Sequence, residues 1–534
     1  MSRSARTVRQ GALDQPADFN QQMYEALKSA PWWMMSIGFH VLIVVISTLF
    51  QTDKPPVALA PIVAASMNPG EVPVEPEPPI ASDEIEQVHQ SDVQAKEPSL
   101  VDEREVSDHE ETDNDMPTEQ SLGESGTGDS SFEGPSTNGL IGLGGGAGSQ
   151  KKGFGGHRNL RAGSFGKPRE DALEDALRWL AAHQSPDGGW ECEGWRKWCD
   201  LKPATDGERL EGAGKPNYDV GVTGLSLLAF LGAGYTNRSP GLFGTVVGSA
   251  LKYLRNVQDA EGCFGNRSSG HYVYNHAIAA LAMVEAYGMT GSAILRSPTQ
   301  KALDFIAITR NPYFAWRYGV KPGDNDTSVT GWMMMALKSA KLINASDVKG
   351  GKAPSLTYDE EAFEGIKAWV DKMTDPDTGR VGYQQRGTGP ARTSDLQDRF
   401  PADRSESMTA VGMLARIFLG ENPKTSDVIK KGADLCAKLA PVWNPQDGSI
   451  DMYYWYYATL AMFQVGGEPW KKWEAAMKTG IIDQQRKDGD FCAYKGSWDA
   501  LDAWGADGGR VYSTACMAMC LEVWSRYPRV FGAN

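Results

Sequence analysis

From about residue 170 to the C-terminus, apolar positions fall into a repeating pair of helical patterns. The first copy is DALRWLAAHQSPDGGW (175–190), whose apolar residues keep to one face, followed by YDVGVTGLSLLAFLGAGY (218–235), which is apolar nearly all round. SALKYLRNVQDAEGCFG (249–265) with YNHAIAALAMVEAYG (274–288) repeats the pair, and four further copies run through to VYSTACMAMCLEVWSRY. A one-faced pattern marks a helix at a solvent boundary, and an all-round apolar helix must be enclosed. A hairpin of the two cannot bury its apolar surface alone, so copies must stack. The pattern predicts an all-α fold of twelve helices: an (α/α)6 toroid over 169–534, with amphipathic helices outside and apolar helices inside.

The first 168 residues follow other rules. Ser36 to Phe50, together with Trp32 to Met35, make an apolar stretch of about 19 residues in which His40 is the one ionisable group, close to the ~20 residues that cross a bilayer as a helix. The expectation is a cytoplasmic stub (1–30), a transmembrane helix (31–51) with Trp32 and Trp33 in an interfacial belt, and a disordered Pro/Gly-rich acidic linker (52–168). Charge supports this division. Between Thr52 and Gln150 there are 21 acidic and 3 basic side chains, whereas from Lys151 onward 46 basic meet 44 acidic. With Arg3, Arg6, Arg9 and Lys28 before the apolar stretch, the N-terminus is expected in the cytoplasm and the toroid outside it, in the periplasm, on a single pass through the inner membrane. A near-neutral body excludes a nucleic-acid binder, which would concentrate Lys and Arg on one face.

Trp179, Leu180, Gln184, Gly188 and Trp190, then Tyr253, Leu254, Gln258, Gly262 and Phe264, carry an aromatic–aliphatic pair, a Gln and a Gly-x-aromatic turn; Gln484, Gly489 and Phe491 stand for the sixth copy. This pattern resembles the repeat of the squalene cyclase and prenyltransferase superfamily, which implies the (α/α)6 toroid and a structural role for these Gln and aromatic side chains. The anchor in turn resembles that of TonB-like energy-transducing proteins: Ser36 and His40, at i and i+4, share one helix face, and the resemblance implies a proton-driven motor as partner. A neutral His in a plain anchor is the alternative.

The superfamily's chemistry is then sought at PGDNDTSVTGW (322–332). Squalene cyclases protonate an alkene with the middle Asp of Asp-x-Asp-Asp-Thr; aligned on Asp326 and Thr327, that donor position holds Asn325, and an amide has no such proton to give. Prenyltransferases build a zinc site from Asp-x-Cys and a His, for which this chain has Ser328 and Ser513, so no metal and no cofactor is expected. Asp326 is read mainly as a helix N-terminal residue. Asp324, Asp326 and Glu406 remain candidate catalytic carboxylates, because paired acids at a toroid mouth could serve as acid and base. Asp219 and His276 at the starts of inner helices, and the aromatics Trp332, Tyr453, Trp455 and Tyr456, are candidate binding residues; an aromatic-lined cavity would suit cation–π stabilisation. Of the seven Cys, Cys192 and Cys199 are the candidate disulfide, and Cys516 and Cys520 are read as core. The expected function is a membrane-anchored binding module for a lipid, a peptide or an envelope polymer. The alternative is a divergent terpenoid cyclase or an acid–base enzyme using the mouth carboxylates.

Overall fold

The computed structural model describes residues 165–199, 212–345, 355–393 and 395–526. The stub, the expected membrane helix with Ser36 and His40, and nearly all of the linker lie outside the described residues. Among the described residues no strand forms, and no helix is long and apolar enough to cross a membrane.

Among the described residues twelve long helices alternate as the periodicity predicts, and a short helical turn, Val523–Arg526, follows the last. The outer ones are α1 (Gly166–Ala182), α3 (Leu242–Val257), α5 (Ala293–Thr309), α7 (Glu361–Met373), α9 (Asp427–Lys438) and α11 (Gly467–Gly480). The inner ones are α2 (Asp219–Gly232), α4 (Tyr272–Thr290), α6 (Thr327–Ala345), α8 (Ser407–Phe418), α10 (Met452–Val465) and α12 (Gly505–Leu521). Each inner helix packs on the next, and α12 packs back on α2, which closes the ring. Nearly every residue of α4 from Val273 to Thr290 is buried, as an all-round apolar helix requires. The helix α1 begins at Gly166, three residues ahead of the expected boundary.

The pairing in space is offset from the pairing in sequence. An inner helix packs most closely on the outer helix that follows it, and α1 fills the place that follows α12. The buried Arg169 of α1 donates to the Leu521 carbonyl at the end of α12, 3.1 Å away, so the first helix of the toroid seals the last.

The repeated turn couples neighbours. Gln184 donates to the carbonyls of Gly188 and Val246, and Gln258 to those of Gly262 and Pro298, so each Gln ties its own turn to the next outer helix. In the third copy Arg310 takes this place, bonding the Phe314 carbonyl and Asp359. Gly188 sits at φ 95° with its missing Cβ 2.1 Å from the Ser249 carbonyl oxygen, so no other residue fits. The sixth copy departs from expectation. Gln484 is a half-buried residue bonding the Thr479 carbonyl, and it is Gln485 that donates to Gly496 and to Ala172 across the ring closure, with Trp498 as the turn aromatic. The reason is an insertion between Gln485 and Gly496, which moves the true turn beyond Gly489 and Phe491.

That insertion also corrects the disulfide. Cys199 pairs with Cys492, 293 residues away, while Cys192 is a buried free thiol. Cys192 belongs to the turn, where the Gly214 amide bonds its carbonyl; Cys199 lies farther out, beside the last repeat. Cys516 and Cys520 are buried and free.

Candidate functional site

Because the hairpins alternate, the inner helices run parallel and their N-terminal ends gather on one face, the mouth. The first turns of these helices share a device: the amide of the preceding turn aromatic donates to a polar side chain. Trp190 bonds Thr223, Trp316 bonds Thr330 and Trp498 bonds Thr514. In the second copy the same position is His276, whose Nδ1 accepts from the Phe264 amide at 3.2 Å while Nε2 lies 3.2 Å from the Ala302 carbonyl. Nδ1 as acceptor fixes the proton on Nε2. Burial pushes the imidazole down to about 3, and both ring nitrogens are engaged. His276 therefore sits in the wall as a neutral hook, away from the mouth opening.

Asp326 immediately precedes α6 and is fully buried. Its Oδ1 accepts from the Val329 amide at 2.7 Å, an N-cap bond. Oδ2 has no hydrogen-bond partner, and the nearby Arg317 Nε, 3.9 Å away, has none either. Burial raises the carboxyl to about 7; the Val329 amide, the Arg317 charge and the Tyr383 hydroxyl act against that rise. Asp324 is half-exposed and ion-paired to Arg317. Asn325, at the donor position, turns inward: its Oδ1 accepts from the Ala315 amide at 2.9 Å and from Asn311 at 3.0 Å.

Glu406 precedes α8, with Oε1 held by Arg380 and Oε2 accepting from Thr409 at 2.7 Å. Both oxygens are thus committed to the structure. Asp219 opens α2, accepts from the Cys192 amide at 2.8 Å, and is raised to about 6, chiefly by burial. It borders a cavity of about 430 Å³ with Asn217, Tyr253, Asn266, Ser269 and Asn275.

Of the aromatics expected to line a cavity, Trp332, Tyr453 and Tyr456 pack into one cluster with Tyr457, while Trp455 packs on Trp443 of the preceding connection, ring centres 6.2 Å apart. Trp332 stacks on Tyr456 at 5.4 Å and meets Tyr457 edge-on at 5.2 Å. Tyr453 packs on Tyr457 and bonds Ser328, and Tyr274 takes bonds from Ser328 and Trp332. Trp332, Trp455, Tyr456 and Tyr457 are at most 1% exposed. Tyr453 keeps 6% exposure and Tyr274 is half-buried, so the cluster meets solvent at the Tyr274 and Tyr453 hydroxyl end.

Between the buried acids and solvent runs a line of half-buried polar rings. The Tyr383 and Tyr318 hydroxyls are 2.5 Å apart, Tyr318 meets His271 edge-on at 4.9 Å, and the Tyr218 hydroxyl is 3.3 Å from His271 Nδ1. Lys215 and Asp507 form an ion pair nearby. The periodic pattern gave no notice of Tyr318, Tyr383 and His271, which stand in irregular connections. Nor did it single out Asp451 and Asp502, two further buried acids beside α10 and α12. Asp451 could have been found, since it stands just before the YYWYYATL run as Asp326 stands before α6. Asp502 lies in a connection with no period to mark it.

Residues 162–372 match the squalene-hopene cyclase C-terminal domain family. Among solved structures, the chain is similar to an α-1,6-mannanase from Salegentibacter sp. (10% identity, 67% of this chain, 99% of that one, TM-score 0.44). It is also similar to a type II terpene cyclase from Scytonema (11%, 67% and 97%, 0.41) and to a cellobiose 2-epimerase from Bacillus thermoamylovorans (16%, 67% and 98%, 0.43). No curated protein matches the sequence. The match over residues 162–372 and the Gln–aromatic turn that returns in the sixth hairpin support the squalene cyclase and prenyltransferase superfamily for this chain.

Proposed function

We propose that the toroid is the recognition head of a membrane-anchored protein and takes a peptide or envelope polymer at its mouth, not a lipid in its interior. The observation that carries this reading is the packed aromatic cluster: Trp332, Tyr456 and Tyr457 close on one another where a polyprenyl chain would have to lie. The mouth, by contrast, presents tyrosine hydroxyls, an imidazole and ion pairs, groups that match the hydrogen-bonding needs of a polar chain. Asn325 in the donor position, locked by Asn311 and Ala315, argues further against alkene protonation. The Cys199–Cys492 bridge supports an oxidising, extracytoplasmic compartment for the toroid, in keeping with the anchor expected at 31–51. Ser36 and His40 are the proposed contact with a proton-driven motor.

A second reading is favoured by one observation, a buried Asp326 Oδ2 that lacks a hydrogen bond and faces Arg317 Nε at 3.9 Å, on a carboxyl raised to about 7. Such a group suits general acid–base work near neutral pH. One experiment separates the two. Full-length protein is co-sedimented with insoluble cell-wall polymer and, separately, incubated with squalene and shorter polyprenyl substrates. The binding reading expects sedimentation with the polymer, weakened at least tenfold by Tyr318→Ala with His271→Ala, and no cyclised product. Cyclised product lost in Asp326→Asn would replace it with the enzyme reading.

A further inference from the structure

After Val381 the connection between α7 and α8 leaves the wall and crosses the mouth. At Tyr383 its carbonyl accepts from the Thr327 amide and hydroxyl at 3.1 and 3.2 Å. At Arg392 it inserts a guanidinium into the barrel, and that side chain is only 3% exposed. Nη2 donates to Asp451 Oδ2 at 2.7 Å, and the guanidinium carbon lies 5.5 Å from the centre of the Trp504 ring. Its Nε and Nη1 bond the Phe400 and Ala391 carbonyls within the same connection. The hydrogen bond to Asp451 is thus the one that ties Arg392 to the barrel.

The recess holds more acceptors than one arginine uses. Asp451 Oδ1 caps α10 through the Tyr454 amide at 2.9 Å, which leaves Oδ2 for the guanidinium. Asp502 Oδ2 accepts from the Met452 amide at 3.0 Å and the Tyr512 hydroxyl at 2.9 Å. Asp502 Oδ1 is buried without a hydrogen-bond partner, and so is Trp504 Nε1. Two carboxyl groups and an indole face therefore surround a single positive charge that arrives on a connecting segment. Carboxylate oxygens beside an aromatic face are the surroundings in which guanidinium and ammonium groups bind.

We propose that the Asp451–Asp502–Trp504 recess is a subsite for a guanidinium or ammonium group of the ligand, and that Arg392 fills it while the mouth is empty. This deepens the mouth-recognition reading and rests on it. The ligand cation donates to Asp451 Oδ2 and to the unused Asp502 Oδ1, and Arg392 moves out to solvent with its segment. Exchanging one cation for another keeps the buried Asp451 carboxylate paired before and after binding. The ligand class is a peptide or polymer carrying basic side chains or free amino groups.

The test uses the full-length protein, with tri-lysine as probe and Nε-acetylated tri-lysine as its neutral control, measured by calorimetry. Tri-lysine is expected to bind Arg392→Gln at least tenfold more tightly than wild type, with the gain lost on adding Asp451→Asn and absent for the acetylated probe. A folded Arg392→Gln with wild-type affinity, or a gain that survives Asp451→Asn, overturns the proposal. Should Arg392→Gln fold poorly, hydrogen exchange on the wild type decides: saturating tri-lysine must accelerate exchange of amides in 383–393, and unchanged or slower exchange rejects the subsite. Polymer co-sedimentation that depends on Tyr318 and His271 but ignores these recess substitutions would leave mouth recognition standing and remove the subsite alone.

Discussion

Replacing Asp326 by Asn should make the protein more stable than the wild type, by up to about 4 kcal/mol at pH 8 but only by about 1.6 kcal/mol at pH 5. The carboxyl is fully buried, and burial lifts it from 3.8 to about 7 in the folded chain. Between those values the native state holds a proton that the unfolded state has released. Stability contributed by this group is thus present below pH ~4 and declines as pH rises toward 7, by up to about 1.4 kcal/mol per pH unit. The full window amounts to about 4 kcal/mol, an upper limit because water admitted on ionisation relaxes the penalty. An Asn amide is neutral at every pH, and its oxygen can keep the cap bond to the Val329 amide. The assay is urea unfolding of both proteins at pH 5 and pH 8, read as the difference between the two, so that titration of Asp502, also raised to about 7, and of His276 cancels. A variant equally or less stable than wild type at pH 8, with the same difference at pH 5, would refute the assignment of a protonated, buried Asp326.

Two further outcomes follow from the ring closure. Gln485→Ala strips hydrogen bonds from the Ala172 and Gly496 carbonyls and should cost about 2–4 kcal/mol, whereas Gln484→Ala, half-buried with one local bond to Thr479, should cost about 1 kcal/mol or less; chemical denaturation of the pair checks the register of the sixth turn. Cys492→Ser opens a covalent loop of 293 residues, for which chain entropy sets an upper limit of roughly 6 kcal/mol; a loss of several kcal/mol is expected in urea titrations, and one below about 1 kcal/mol would contradict a bridge that constrains the unfolded chain.

The helices and their two environments could be read from the order of residues alone. One-faced periodicity in ALRWLAAHQ and all-round apolarity in AIAALAMVEAYG are local properties, and each dictates where its helix must lie relative to water. The turn residues were legible for the same reason: Gln184 and Gly188 answer to backbone needs within a few residues of themselves. The squalene cyclase resemblance was legible with them, because it rests on those same turns. The sequence also showed Asn325 where a proton donor would stand.

What the tertiary structure alone decided involves partners far apart in the chain. His276 became a wall hook because Ala302 and Phe264 meet both its nitrogens, and no pattern around residue 276 encodes Ala302. Trp332 and Tyr456 stack as filling because α6 and α10 bring them together across the ring axis, where an equally apolar sequence could have lined a cavity. Cys199 found Cys492 and not its neighbour Cys192, since the closure of the ring sets the first repeat beside the last. The mouth was the least legible part. Tyr318, Tyr383, Arg392 and Asp502 lie in connections without period, and they converge only because six parallel inner helices place their N-terminal ends on one face. Periodicity reports which side of a helix meets water; which loops meet each other follows from the closed ring, whose geometry is a property of all six hairpins at once.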